Sequence, residues 1–138
     1  MAFSITGPVW SRESGCPCHW FSLVICQHPV TRKYLAVEET GDRGWWLPGG
    51  FVEPGDDVES TAHKETVEEA GIEIELVGVL RVNAAISERR GRLQVVYFAR
   101  PKDLDQAPKN VPDKESKSAK WLTVDELEEM DRKGLLRG

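Results

Sequence analysis

Apolar positions along this chain change period several times, and each change marks an element. Trp20 to Gln27 (WFSLVICQ) is a dense apolar and β-branched run bounded by Pro17 and Pro29. Tyr34 to Glu38 (YLAVE) follows after the turn-like HPVTRK, and the two runs predict a hairpin. GDRG at 41–44 is a loop, and WWLPGG leads into a glycine turn at Gly49-Gly50. The pattern then becomes helical. Asp56 is placed to cap, with Glu59 three residues on as its capping-box partner and Asp57 at the positive end. Gly71 suits the residue after the helix, where a positive φ is common. Ala62, Thr66, Val67 and Ala70 give this helix a modest apolar stripe for packing on a sheet.

Beyond Gly71, Glu73 to Ile86 reads as a long strand with a bend at Gly78. SERRGR is a turn, and Leu93 to Ala99 returns as the partner strand. Residues 101–118, punctuated by Pro101, Pro108 and Pro112, form one long loop, which in a compact domain signals function or disorder. Ala119 to Leu122 is a short strand. Thr123 with Glu126 is a second capping box, opening a helix that ends near Gly134. The reading is α+β, one domain over residues 1–138 with residues 1–18 as an N-terminal extension, and no internal repeat.

One part of this pattern is electrostatically odd. Glu65, Glu68 and Glu69 stand at i, i+3 and i+4, so they crowd one side of the first helix. They also occupy its last turns, where the dipole disfavours negative charge. Like charges at i and i+4 cost roughly 0.2–0.5 kcal/mol, and the dipole adds a similar amount. Three acids held against both effects point to a cation.

Composition narrows the alternatives. At 138 residues the chain is long enough for one core. Its 40% hydrophobic and 30% charged residues are ordinary for a soluble protein. No stretch is long and apolar enough to span a bilayer, and the N-terminus lacks a basic segment followed by an apolar core, so a cytoplasmic address is the default. The net charge of −5 argues against gripping a nucleic-acid backbone, yet it permits a small nucleotide when a metal supplies positive charge. CPCHW, with Cys26 and His28 nearby, invites a zinc reading, but the second half of a zinc motif is missing. Reduced thiols are the better account.

Hydrolysis of a phosphoanhydride needs charge neutralised at the phosphates, a positioned water and a proton acceptor. Magnesium meets the first need with hard oxygen ligands, which carboxylates on one rigid helix provide. No His or Cys accompanies the cluster, which disfavours a soft metal. Gly50 to Ile72 (GFVEPGDDVESTAHKETVEEAGI) resembles the Nudix box: a glycine, five residues, a glutamate, seven residues, then R-E-U-x-E-E-x-G-U with U aliphatic. Gly50, Glu65, Glu68, Glu69, Gly71 and Ile72 fall on that spacing, and Leu47-Pro48-Gly49 matches the usual lead-in. Three positions depart from it: Asp56 for the first glutamate, Lys64 for the arginine and Thr66 for the aliphatic. Lys64 keeps the charge but loses the planar fork of arginine.

The resemblance implies an α/β/α sandwich with a mixed central sheet and a Mg²⁺-dependent hydrolase, with Mn²⁺ as the alternative ion. The substrate would be a nucleoside diphosphate linked to another group, with a nucleoside triphosphate as the default. It implies Glu65 and Glu69 as metal ligands, Glu68 as ligand or water activator, and the Gly50 carbonyl as a further ligand. Asp56 and Lys64 would support the site. Where the general base lies on a later loop, Glu115 and Glu88 are the candidates. Trp45, Trp46 and Phe51 are candidate stacking surfaces for a base, one tryptophan being expected in the core. Arg81, Arg89, Arg90 and Arg92 are candidate phosphate contacts, against the alternative of a solvated hairpin tip. Dimerisation is common in the family, though no motif here marks an interface. A sensor module on the same scaffold, binding a nucleotide without cleaving it, is the competing reading, and Asp56 and Lys64 are its support.

Overall fold

A computed structural model describes residues 17–137. The first apolar run forms β1 (Cys18–Cys26), whose period-2 alternation sends Ser22, Val24 and Cys26 wholly inside. β1 runs antiparallel to a short β4 (Gly49–Phe51) and parallel to β6 (Gly91–Pro101), and β6 pairs in a hairpin with β5 (Ile74–Ile86). The order is β4-β1-β6-β5, a mixed sheet. A second, antiparallel sheet runs β3-β2-β7, from β2 (Tyr34–Glu38), β3 (Trp45–Trp46) and β7 (Ser118–Leu122). The helices are α1 (Val58–Ala70) and α2 (Val124–Arg132).

This corrects the expected hairpin of β1 with β2. The two strands meet only at a bridge between Gln27 and Tyr34, then part into different sheets. Both edges of β1 are taken, one by β4 and one by β6, so β2 has no edge left to join. His28 holds the connection: its Nδ1 accepts from the backbone N–H groups of Val30 and Thr31, both at 3.2 Å. The expected glycine turn is likewise an edge strand. Glycine is needed there for close approach, since a Cβ on Gly49 would lie 2.5 Å from the Ser22 carbonyl oxygen. The bend expected at Gly78 is present as two bulges in β5, between Leu76 and Gly78 and between Val79 and Arg81.

α1 starts one residue later than expected. Asp57, with φ −125° and ψ 178°, is the cap: its Oδ1 accepts from the Ser60 N–H at 2.7 Å, and Ser60 Oγ accepts from the Asp57 N–H at 3.0 Å. The partner is therefore Ser60 rather than Glu59, and Asp56 is left outside the helix. Thr61, Ala62, Thr66 and Ala70 are buried, while Val67, expected in the stripe, is 46% exposed. Thr66 is tolerated inside because its hydroxyl donates to the Ala62 carbonyl at 2.7 Å. One core cluster joins Ala62 and Ala70 of α1 to Val24, Val95 and Tyr97 of the first sheet and to Leu35 and Val37 of the second. On the second sheet, Leu127 and Met130 of α2 pack against Ala36, Trp45 and Leu122. The result is an α+β fold with a mixed central sheet. Among the described residues no helix is long and apolar enough to cross a membrane.

The C-terminal carbonyls of α1 would ordinarily lack partners. Here all four have one. Gly71, at φ 69°, donates to the Val67 carbonyl at 2.9 Å. The long loop supplies the rest: Lys109 Nζ donates to the Glu68 carbonyl at 3.0 Å, Ser116 Oγ to that of Glu69 at 2.6 Å, and the Lys109 N–H to that of Ala70 at 2.8 Å. Ser116 is wholly buried. Ser116→Ala should therefore strand a buried carbonyl and lower stability by about 1–2 kcal/mol. Thermal unfolding should register a Tm lower by several degrees, and an unchanged Tm would show that the loop does not clamp the helix.

Candidate active site

β4 passes alongside the last turns of α1, and this crossing builds the site. Glu65 and Glu69, one turn apart, point to the same cavity of about 220 Å³, which Gly49, Gly50, Phe21, Trp46 and Phe51 also line. Glu69 is buried, and its Oε1 accepts from the Gly49 N–H at 2.9 Å. Gly50 has no room for a side chain: a Cβ there would lie 2.5 Å from the carboxyl carbon of Glu65. Glu115, carried in beside Ser116 on the clamping loop, lines the same space.

Burial dominates the electrostatics. It raises the Glu65 carboxyl to about 7, with the charge of Glu68 adding to the rise and Lys64 opposing it. Burial also raises Glu69 to about 8, against the Gly49 hydrogen bond, while the charges of Glu65, Glu39 and Glu115 push it further up.

Of the residues singled out in the sequence, Gly50, Glu65, Glu69, Glu115, Trp46 and Phe51 meet in this cavity. Glu68 is half-buried and does not line it, although its charge acts on Glu65. Trp45 lies in the core at 9% exposure, as expected for one of the pair. Asp56 and Lys64 form a lateral support. Lys64 Nζ meets Asp56 at 3.3 Å and Glu53 at 3.2 Å, both in the acidic loop before α1. Glu88 sits exposed in the β5–β6 turn and Arg81 exposed on β5, and neither lines the cavity. Cys16 of the zinc reading lies outside the described residues. Cys18 is exposed, whereas Cys26 is buried with its thiol pushed up to about 12 by that burial.

Sequence reasoning missed Glu39, Arg43 and Arg137, which line the same cavity. Glu39 Oε1 accepts from Arg137 Nη1 at 2.7 Å, and its Oε2 is buried with no hydrogen-bond partner among the described residues. No local pattern flags this pair, 98 positions apart. It forms because residues 135–137 dock along β3, where Trp45 N–H donates to the Leu135 carbonyl at 2.8 Å and Arg137 N–H to that of Trp45 at 3.0 Å.

The donor set is one a hard divalent cation fits. It is all oxygen, includes one orphaned buried carboxylate oxygen, and holds two carboxyls that burial drives toward neutrality in the absence of positive charge. Among the described residues no three acidic, His or Cys side chains are already drawn into a closed ligand set. The carboxylates line an open-sided cavity instead, with room for a ligand that completes the shell.

Comparison with known proteins gives the family and the fold. The NUDIX domain model matches residues 17–137. The chain is 32% identical over 102 residues to the bis(5'-nucleosyl)-tetraphosphatase [asymmetrical] of Rattus norvegicus, covering 70% of this chain and 68% of that protein. It is 39% identical over 75 residues to the nucleoside diphosphate-linked moiety X motif 6 protein of Mus musculus. That match covers 52% of this chain and only 24% of the mouse protein. A Nudix hydrolase crystal structure from Nitrosomonas europaea superposes with a TM-score of 0.69 at 21% identity, covering 89% of this chain and 64% of that one, a likeness of fold. With a family match over its whole described length and a box that brings Glu65 and Glu69 into one cavity, the chain belongs to the Nudix hydrolase family.

Proposed function

We propose that this chain is a magnesium-dependent pyrophosphohydrolase acting on a nucleoside diphosphate linked to another group. Carrying the reading is the convergence of Glu65, Glu69 and Glu115 on one cavity beside the Gly49-Gly50 backbone. Glu65 and Glu69 would hold the ion, with the Gly50 carbonyl and Glu68 as further candidates. Bound there, magnesium would supply positive charge to phosphate oxygens. The chain's own residues do the rest. The Gly49 N–H fixes Glu69 Oε1, and the missing side chain at Gly50 leaves space for Glu65. A water attacks phosphorus, the P–O anhydride bond breaks toward the leaving phosphate, and the water's proton passes to a carboxylate oxygen. Glu115 is the base this reading favours, because it shares the cavity, whereas Glu88 stays on a distant turn. Trp46 and Phe51 give flat apolar surface beside the reacting centre. The substrate class is a nucleotide with a diphosphate link, a nucleoside triphosphate being its simplest member.

Glu69→Gln keeps the acceptor for the Gly49 N–H while removing the charge. Its turnover of nucleoside triphosphates with Mg²⁺ should fall about 100-fold or more with folding intact, a loss on the scale of removing one charge-stabilising group. Wild-type turnover in the folded variant would sink the mechanism. A protein that binds nucleotide and releases no product would instead be a sensor.

Gly50→Ala tests the crossing. The new methyl should displace the Glu65 carboxylate and lower kcat/KM about 10-fold or more, with little change in Tm, because a flexible side chain can move aside. Unchanged kinetics would detach Gly50 from the site.

A third prediction concerns pH. Folding raises Glu65 to about 7 and Glu69 to about 8, from an unfolded value of about 4.3. Between these limits the folded chain binds more protons than the unfolded one, so metal-free stability falls as pH rises and levels off above about 8. Unfolding in EDTA should show Tm declining from pH 5 to 8, and Glu69→Gln should flatten the upper part of that slope. A metal-free Tm that rises over this range would contradict the burial of both groups.

A further inference from the structure

β5 closes one side of the first sheet, and among the described residues no strand pairs with its outer edge. The sheet's other edge, β4, is only three residues long and is held against α1 by the bond from the Gly49 N–H to Glu69. β5 has thirteen residues and no such cover: positions 77–82 and 84–86 are all exposed. Val79 and Val82 stand opposite Tyr97 and Val95, both buried in the core, yet each valine is 56% exposed. Proteins guard an open strand edge with charges, proline or bulges. Both bulges of β5 fall between Leu76 and Arg81, so they guard its first half. Beyond Arg81 the register with β6 is regular, and Val82 to Ser87 (VNAAIS) carries neither charge nor proline. Val82, Ala84 and Ile86 share one face of that stretch, set opposite Val95, Leu93 and Gly91.

We propose that this unguarded stretch pairs with a second copy of the chain, antiparallel along residues 82–86 about a two-fold axis at Ala84, joining the two first sheets into one. The choice of a second copy comes from the residues of the edge itself. An antiparallel pair is related by an axis perpendicular to the sheet, so facing residues lie on the same face. With the axis at Ala84, Val82 faces the partner's Ile86, Asn83 faces the partner's Ala85, and Ala84 meets itself, methyl against methyl. The charges agree with this register. Arg81 and Glu88 flank the stretch, and neither has an ion pair among the described residues. The same axis sets Arg81 opposite the partner's Ser87 and so beside the partner's Glu88, an attraction that the symmetry makes twice. Neighbouring registers lack this match. An axis at Ala85 would bring Arg81 against the partner's Arg89, and one at Asn83 would run Ile86 onto the bulge at the partner's Leu80. A foreign strand would have to reproduce the pattern, whereas a second copy already carries it. Each copy covers the other's β5 edge, so growth along this edge stops at two.

The test measures the mass of the full-length chain by light scattering over a concentration series and requires no turnover. The patch is small for a specific interface, so monomer and dimer should interconvert with a Kd on the order of micromolar. Ala84→Asp puts two like charges on the axis and should raise that Kd about 10-fold or more. Its Tm in dilute solution should stay at the wild-type value, because the side chain is exposed in the monomer. Ala84→Cys gives a second, independent measurement. Residues facing each other across an antiparallel pair have Cα atoms about 4.5–5.5 Å apart, within reach of a disulfide, so this variant should form a covalent dimer under mild oxidation. Ser87→Cys should cross-link no more than the wild type with its exposed Cys18, since six positions along a strand separate it from its own counterpart by about 20 Å. A wild type that stays monomeric at millimolar concentration would overturn the proposal and leave the edge to a strand of another protein. Absence of the Ala84→Cys cross-link, equal cross-linking through Ser87→Cys, a dimer that Ala84→Asp does not weaken, or assemblies that grow past two would each overturn it as well.

Discussion

The structure depends most on the clamp that the loop between β6 and β7 places on the C-terminal end of α1. That helix has no basic residue in its last turn, and it carries Glu65, Glu68 and Glu69 toward the end where the peptide dipoles are already negative. Left alone, such a helix would fray from the end that matters. Lys109 answers with an ammonium group on the Glu68 carbonyl, backed by Asp113, and Ser116 answers with a buried hydroxyl on that of Glu69. A helix end held this firmly keeps two carboxylates in place despite their mutual repulsion. The same loop delivers Glu115 to the cavity as the residue before Ser116. Clamp and site are therefore one construction.

The clamp leaves the charge within the cavity unbalanced. Lys109 satisfies carbonyls and does not line the cavity. The lining has four acids, Glu39, Glu65, Glu69 and Glu115, against two arginines, Arg43 and Arg137. That leaves an excess of two negative charges when every acid is ionised. Two carboxyls, Glu65 and Glu69, are the ones burial drives toward their neutral forms. The proposed divalent cation would cancel the same two charges that protons cancel, and near neutral pH the two would compete for the same oxygens.

Much of this was legible in the chain because it is local. The glutamate spacing, the positive-φ glycine after α1, the bend at Gly78 and the cap on α2 all follow from residues within one or two turns of each other. Errors arose where a distant partner decided the outcome. The β1–β2 hairpin failed because β4 and β6, from far along the chain, occupy both edges of β1. The glycine pair read as a turn because its true reason, crowding by Ser22 and Glu65, is tertiary. Glu39 and Arg137 were invisible because only the docking of the tail along β3 joins them. The cap shifted from Asp56 to Asp57 for a subtler reason. Either aspartate can cap, but Asp57 finds Ser60 at the right distance, and Asp56 is then free to hold Lys64.

Phe51 lies between the carboxylate cavity and a second one. The carboxylate cavity carries an excess of acids, whereas the space beyond Phe51 is lined by Arg90 and Arg92 and by no acid. Phe51 lines both, so one aromatic ring stands between the acids and two arginines that have no ion pair among the described residues. Had Arg92 reached across to Glu65, both would have been lost to a salt bridge. Its stacking on Phe21 and Phe51 prevents this by holding the guanidinium on its own side. The aromatic pair between β1 and β4 thus acts as an insulator as well as a surface, and the short strand β4 is the element on which both cavities turn.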